Sequence, residues 1–247
     1  MLDPLSEETR VLHDRVYVGG VSSSVFFHEN TAYLLVDRHI TEDDEYSDGR
    51  VWELWTYDIT SDVMELSLQG NLTEGFLRNC WITDEGEIYF MLEKDIEAER
   101  EEDWQWSYTL AKIEDGSLKE LWDVPYEPTL GDAQVYDGIV VSQYSTNFRY
   151  NKDVRFRVQD LDGSVIADGF LPYPDLGEDA EDYTFERYEI VWGDQTCMWM
   201  MLWLTKPVVH YGSPTTTQVS LTVKYDITDG GFVISFVEPT DRLPLIN

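Results

Sequence analysis

Cysteine is nearly missing from this chain of 247 residues. Cys80 and Cys197 stand far apart and in different repeats, so zinc spacings, redox pairs and disulfide frameworks are excluded and two buried thiols are expected. Basic side chains are scarce too: 17 Lys and Arg face 49 Asp and Glu, a formal net charge of -32. Such a surface repels phosphate backbones and anionic headgroups, so no nucleic acid partner is expected. No run is apolar and long enough to cross a bilayer; the most apolar, Cys197 to Leu204, is strand-sized, so no direct membrane insertion is expected. His13, His28, His39 and His210 lack metalloprotease spacing, and no nucleophile elbow, phosphate-cradling glycine loop or dinucleotide fingerprint is present. Nucleophilic hydrolases are thereby disfavoured.

Aromatic residues, by contrast, make up 14% of the chain, with 9 Trp and 15 Tyr. That is the composition of half-buried pleated strands. The segment Tyr57-Asp58-Ile59-Thr60 returns as Tyr225-Asp226-Ile227-Thr228, with looser copies around Lys112 and Asp160; Asp58, Lys112, Asp160 and Asp226 are 54, 48 and 66 residues apart. A near-constant period marks a repeat array. A second marker keeps step with it. Turn signals at His28-Glu29-Asn30, Asp84-Glu85-Gly86, Tyr136-Asp137-Gly138 and Gly193-Asp194-Gln195 each precede an apolar strand. Val154, Phe156 and Val158 alternate with Arg155, Arg157 and Gln159, which predicts a strand with one solvent-facing side.

Four short strands, A to D, in roughly 50 residues match the size of a propeller blade. The expected fold is all-β: a β-propeller of four-stranded antiparallel blades, four of them full and one partial at the N-terminus. Residues 1–247 are taken as one domain, with blades at about 21–70, 71–125, 126–173 and 183–239. Leu2-Asp3-Pro4-Leu5-Ser6 aligns with Tyr57 to Ser61, so 1–20 reads as a remnant or outer hairpin of an additional blade. The repeats lack the Gly-His and Trp-Asp marks of one repeat family and the paired glycines of another. On Tyr57-Asp58-Ile59-Thr60 and its copies, the sequence resembles a broad class of uncharacterised extracytoplasmic β-propeller proteins of bacteria. The resemblance implies a binding role outside the cytoplasm, with the signal segment absent from this chain.

In a propeller the B to C and D to A connections share one face. Here B to C loops are expected at 40–50, 94–104, 146–153 and 205–217, with long D to A connections such as 172–183. Long connections on one face of a rigid scaffold are where binding is housed. Tyr46, Trp104, Trp106, Phe148, Arg149, Tyr150, His210 and Tyr211 are the candidate ligand-binding residues, because aromatic faces beside polar groups match amphipathic ligands. The expected partner is a glycan, a peptide or a protein. Asp43, Asp44 and Asp48 offer hard oxygen atoms for calcium, but the complete calcium-loop pattern is missing and no cofactor is expected. A non-catalytic binding module is the main reading. The alternative is a carbohydrate-active hydrolase using paired carboxylates on the same face.

Overall fold

The computed structural model describes residues 21–42, 45–72, 75–96, 105–144, 154–175, 183–210 and 213–239. They form four separate four-stranded antiparallel sheets, each laid down in chain order. The first contains β1 (Val21–His28), β2 (Thr31–Glu42), β3 (Glu45–Asp58) and β4 (Val63–Leu72). The second contains β5 (Phe76–Ile82), β6 (Ile88–Ile96), β7 (Gln105–Glu114) and β8 (Ser117–Asp123). The third contains β9 (Leu130–Tyr136), β10 (Ile139–Tyr144), β11 (Arg155–Asp160) and β12 (Val165–Phe170). The fourth contains β13 (Thr184–Gly193), β14 (Cys197–His210), β15 (Ser213–Thr228) and β16 (Gly231–Pro239). Each is the meander of a propeller blade, and the fold is a β-propeller fold. The partial N-terminal blade expected at 1–20 lies outside the described residues.

The repeated aspartate has a physical reason. Asp58 accepts the backbone N–H groups of Thr60 (2.7 Å) and Ser61 (2.9 Å), and Asp160 those of Asp162 (3.0 Å) and Ser164 (2.8 Å). The side chain thus stands in for a backbone carbonyl at the tip of the C to D hairpin. At the second sheet the same turn is made instead by Asp115 and Gly116, both with positive φ (52° and 75°).

The chain divides into two compact units, 1–121 with 245–247, and 122–244. In the first, Leu35, Trp52 and Leu54 of the first sheet pack with Leu77, Phe90 and Leu92 of the second. Trp52 lies 6.1 Å from Phe90, centroid to centroid. In the second, Phe156 and Val158 of the third sheet pack with Met198, Met200, Leu204 and Val223 of the fourth, all essentially inaccessible to water. The Tyr225 hydroxyl donates to the Pro172 carbonyl at 3.2 Å, tying these two blades together.

Several expectations need correction. Two of the four B to C connections are not loops: β2 and β3 stay paired out to Glu42↔Glu45, and β14 and β15 out to His210↔Ser213. The β-branched residues Val208, Val209 and Thr215 to Thr217 extend the ladder into a long hairpin arm. The first D to A connection is also short, running only from Leu72 to Phe76. Gln159, expected to face solvent, is 3% exposed, because its Nε2 turns back to donate to the Gly163 carbonyl at 2.8 Å.

Candidate functional site

Strand B of each sheet runs toward one end and strand C returns from it. In the first unit this end is organised by Asp37 on β2, which is fully buried. One of its carboxylate oxygens accepts from Arg50 Nε at 2.8 Å and the other from the Leu77 backbone N–H at 2.9 Å. The clamp places the Arg50 guanidinium over the Phe76 ring, 5.4 Å from its centroid. Phe76 in turn meets Trp106 edge to face at 6.0 Å and 70°. Both rings are half-buried. Next to Phe76 across the ladder is Glu93, 5% exposed, whose Oε2 lies 3.3 Å from Arg78 Nε. Glu53, 2% exposed, receives the Trp55 indole N–H at 2.9 Å.

The third sheet carries a denser network at the equivalent end. Asp168 accepts Arg155 Nε (2.6 Å) and Nη2 (2.7 Å) and Arg157 Nε (2.8 Å), while Glu127 bridges Arg155 Nη1 and Arg157 Nη2, both at 2.8 Å. Both guanidinium groups lie 5.1 Å from the Tyr144 ring centroid, and Arg157 Nη1 donates to the Tyr144 hydroxyl at 3.1 Å. Burial opposes ionisation of Asp168, but the two arginines outweigh it and hold its carboxyl below the usual range. Two positive and two negative groups cancel here, so the network anchors the 124–129 connection rather than offering net charge to a ligand. In the fourth sheet Arg187 covers Trp203 at 4.0 Å and Lys206 covers Tyr183 at 4.9 Å. A cation on an aromatic face therefore recurs at this end in both units.

The first two strands of the third sheet, β9 and β10, carry a separate polar line. The Tyr136 hydroxyl donates to Gln134 Oε1 at 2.6 Å, and Gln134 Nε2 donates to Asp132 Oδ2 at 2.8 Å. Gln143 pairs with Asp132 across the ladder and is 4% exposed.

Of the residues singled out by sequence, Trp106 is part of the aromatic group just described. Tyr46 and Asp48 fall on β3 and His210 on β14, within the hairpin arms rather than on loops. Asp43, Asp44, Trp104, Phe148, Arg149, Tyr150 and Tyr211 lie outside the described residues. Among the described residues no group of three or more metal-ligating side chains is gathered. Arg50, Phe76, Tyr144 and Arg187 went unrecognised in the sequence. The available signal was the rarity of cations in so acidic a chain, which makes each arginine placement informative.

The carboxyl shifts at Asp58, Glu87, Glu114, Asp168, Asp194 and Asp226 all run downward. A general acid for glycoside hydrolysis needs a raised value, so none of these six is placed for that role.

No protein-family model matches the chain, and no curated protein matches it. Solved structures with some similarity include a variant of the GH43 protein BlXynB from Bacillus licheniformis, at 13% identity and a TM-score of 0.44, matched over 88% of this chain and 43% of that one. Another is a Bifidobacterium bifidum s17 protein described as an exo-β-1,3-galactanase, at 11% identity and a TM-score of 0.36, over 87% of this chain and 90% of that one. The chain thus spans less than half the length of the first, and at these values no site or activity is carried across.

Proposed function

We propose that this protein is an extracytoplasmic glycan-binding propeller that holds a saccharide against aromatic rings at the end of the sheets where strand B gives way to strand C. The observation carrying this reading is the Phe76–Trp106 pair, held half-exposed at 6.0 Å beneath Arg50, which the buried Asp37 fixes in place. A flat apolar ring beside rigid hydrogen-bonding groups complements a pyranose, whose faces are apolar and whose edges are hydroxyl-bearing. An excess of acid on the surface favours neutral over anionic ligands.

Hydrolysis of the bound glycan is the second reading. It draws on Asp37, Glu53 and Glu93, three carboxylates withdrawn from water at 0%, 2% and 5% exposure within the same unit. Asp37 is engaged on both oxygens and serves the scaffold, which leaves Glu53 and Glu93 as the carboxylates to examine.

Calorimetry and tryptophan fluorescence on the full chain, titrated with neutral and acidic oligosaccharides, test both readings when each mixture is also assayed for new reducing ends. Binding that weakens about tenfold in Trp106→Ala supports the proposal. Silence across the panel at millimolar ligand would sink it. Release of reducing ends that disappears in Glu53→Gln or Glu93→Gln would replace binding alone with hydrolysis.

A further inference from the structure

The amide nitrogen of Gln143 is buried without a partner. Its Nε2 is inaccessible to water and makes no hydrogen bond, and the side chain as a whole is only 4% exposed. A buried N–H without a partner is destabilising, and persistent cases call for a specific cause. Its cross-strand partner is Asp132, on the same face. Directly opposed side chains on an antiparallel ladder start about 5 Å apart. The register shifts immediately beside this pair, with Gln143 opposite Asp132 but Tyr144 opposite Leu130, so Gly131 is bulged out of the ladder. Bulges re-aim side chains and gather next to binding sites.

The rest of the line prepares Asp132. The hydrogen bonds run in one direction, from the Tyr136 hydroxyl to Gln134 and from the Gln134 amide to Asp132. This order fixes which way the Gln134 amide faces and holds the Asp132 carboxylate in one orientation before any ligand arrives. Burial, with Asp132 nearby, pushes the Tyr136 proton affinity upward, so the hydroxyl remains a donor over the whole working range. Asp132 is half-exposed and Gln143, paired with it across the ladder, is buried, so the donor lies beneath the carboxylate.

We propose that Asp132 and Gln143 form a recognition site for two neighbouring hydroxyl groups of a neutral sugar, with Gln143 Nε2 donating to one oxygen and the Asp132 carboxylate accepting the proton of the other. The inference rests on the glycan reading and narrows it. A donor beside an acceptor matches a vicinal diol, in which each hydroxyl both gives and takes a hydrogen bond. A fixed carboxylate at the contact, in a chain of net charge -32, discriminates against uronic acids and other anionic sugars by like-charge repulsion.

The experiment uses the full chain with matched neutral and uronate-containing oligosaccharides, read by calorimetry, together with thermal melting of each variant. Gln143→Leu removes the unsatisfied donor and should melt at or above the wild-type temperature while binding neutral sugar at least about tenfold more weakly. Asp132→Asn, at a half-buried position, provides the second arm should Gln143→Leu misfold. It should weaken neutral binding and narrow the gap between neutral and uronate ligands. Wild-type affinity in both variants overturns the proposal. If that result comes with lost binding in Trp106→Ala, the glycan reading stands and only this site falls; if the wild-type chain binds no sugar at all, both fall.

Discussion

Asp37 and Leu77, forty residues apart in sequence, are joined by a buried hydrogen bond of 2.9 Å from the Leu77 backbone N–H to the Asp37 carboxylate. The bond docks strand A of the second sheet against strand B of the first. Because the other oxygen takes Arg50 Nε at 2.8 Å, one carboxylate organises both the sheet junction and the cation above Phe76.

Asp37→Ala takes its carboxylate partner from Arg50, whose side chain is 15% exposed, and removes the acceptor of the buried Leu77 N–H. Removing one partner of a buried pair costs about 3–5 kcal/mol. Denaturant unfolding of Asp37→Ala should show a loss of that size, with Asp37→Asn falling between it and the wild type. A midpoint unchanged in Asp37→Ala would show that the clamp contributes nothing.

Gly70 is required by the tryptophan opposite it. A Cβ there would come within 2.7 Å of Trp52 Nε1, and Trp52 is itself 2% exposed and packed on Phe90. Overpacking of this kind costs about 1–3 kcal/mol. Gly70→Ala should lower the melting temperature and change near-ultraviolet circular dichroism, the signal of a shifted indole. Melting at the wild-type temperature would mean that the indole relocates without penalty.

Acid should act through Asp168. A carboxyl whose pKa is lower folded than unfolded stabilises above its unfolded value, near 4, and loses that contribution as pH falls through the folded value. Asp168→Asn should therefore be less stable than wild type at pH 7 by about 1–3 kcal/mol. The two unfolding curves should converge below about pH 3. A gap that stays constant from pH 7 to pH 3 would refute the assignment.

Both thiols are buried, and burial raises the proton affinity of each. Thiolate is the reactive form. A thiol reagent should label native protein far more slowly than denatured protein, with two equivalents taken up only after unfolding. Rapid labelling of one equivalent under native conditions would contradict the burial of Cys80 or Cys197.

The blades were legible because each is a local object. Strand alternation in Val154 to Val158 and the Asp58 and Asp160 turn caps act over a few residues, and their spacing reveals the repeat directly. The site was far less legible. Arg155 and Arg157 read as one face of a strand, yet what defines them is Glu127, some thirty residues earlier and on a connection with no periodic signal. Gln143 sits in a short, fully buried strand beside Ser142, and only the three-dimensional pairing with Asp132 gives it meaning. Long hairpin arms were mistaken for loops because Asp, Ser, Gly and Thr occupy their tips, and the continued pairing is set by the partner strand.

Each of the four sheets among the described residues is assembled from strands adjacent in the sequence. Within these four sheets no strand has to wait for a distant segment before it can pair, so each closure made during folding joins neighbours in the chain. Chains with such local pairing form their β-structure quickly for their class. Under mechanical tension or partial denaturation the same arrangement should let blades peel away one by one, each taking its own hairpins with it and leaving the next intact.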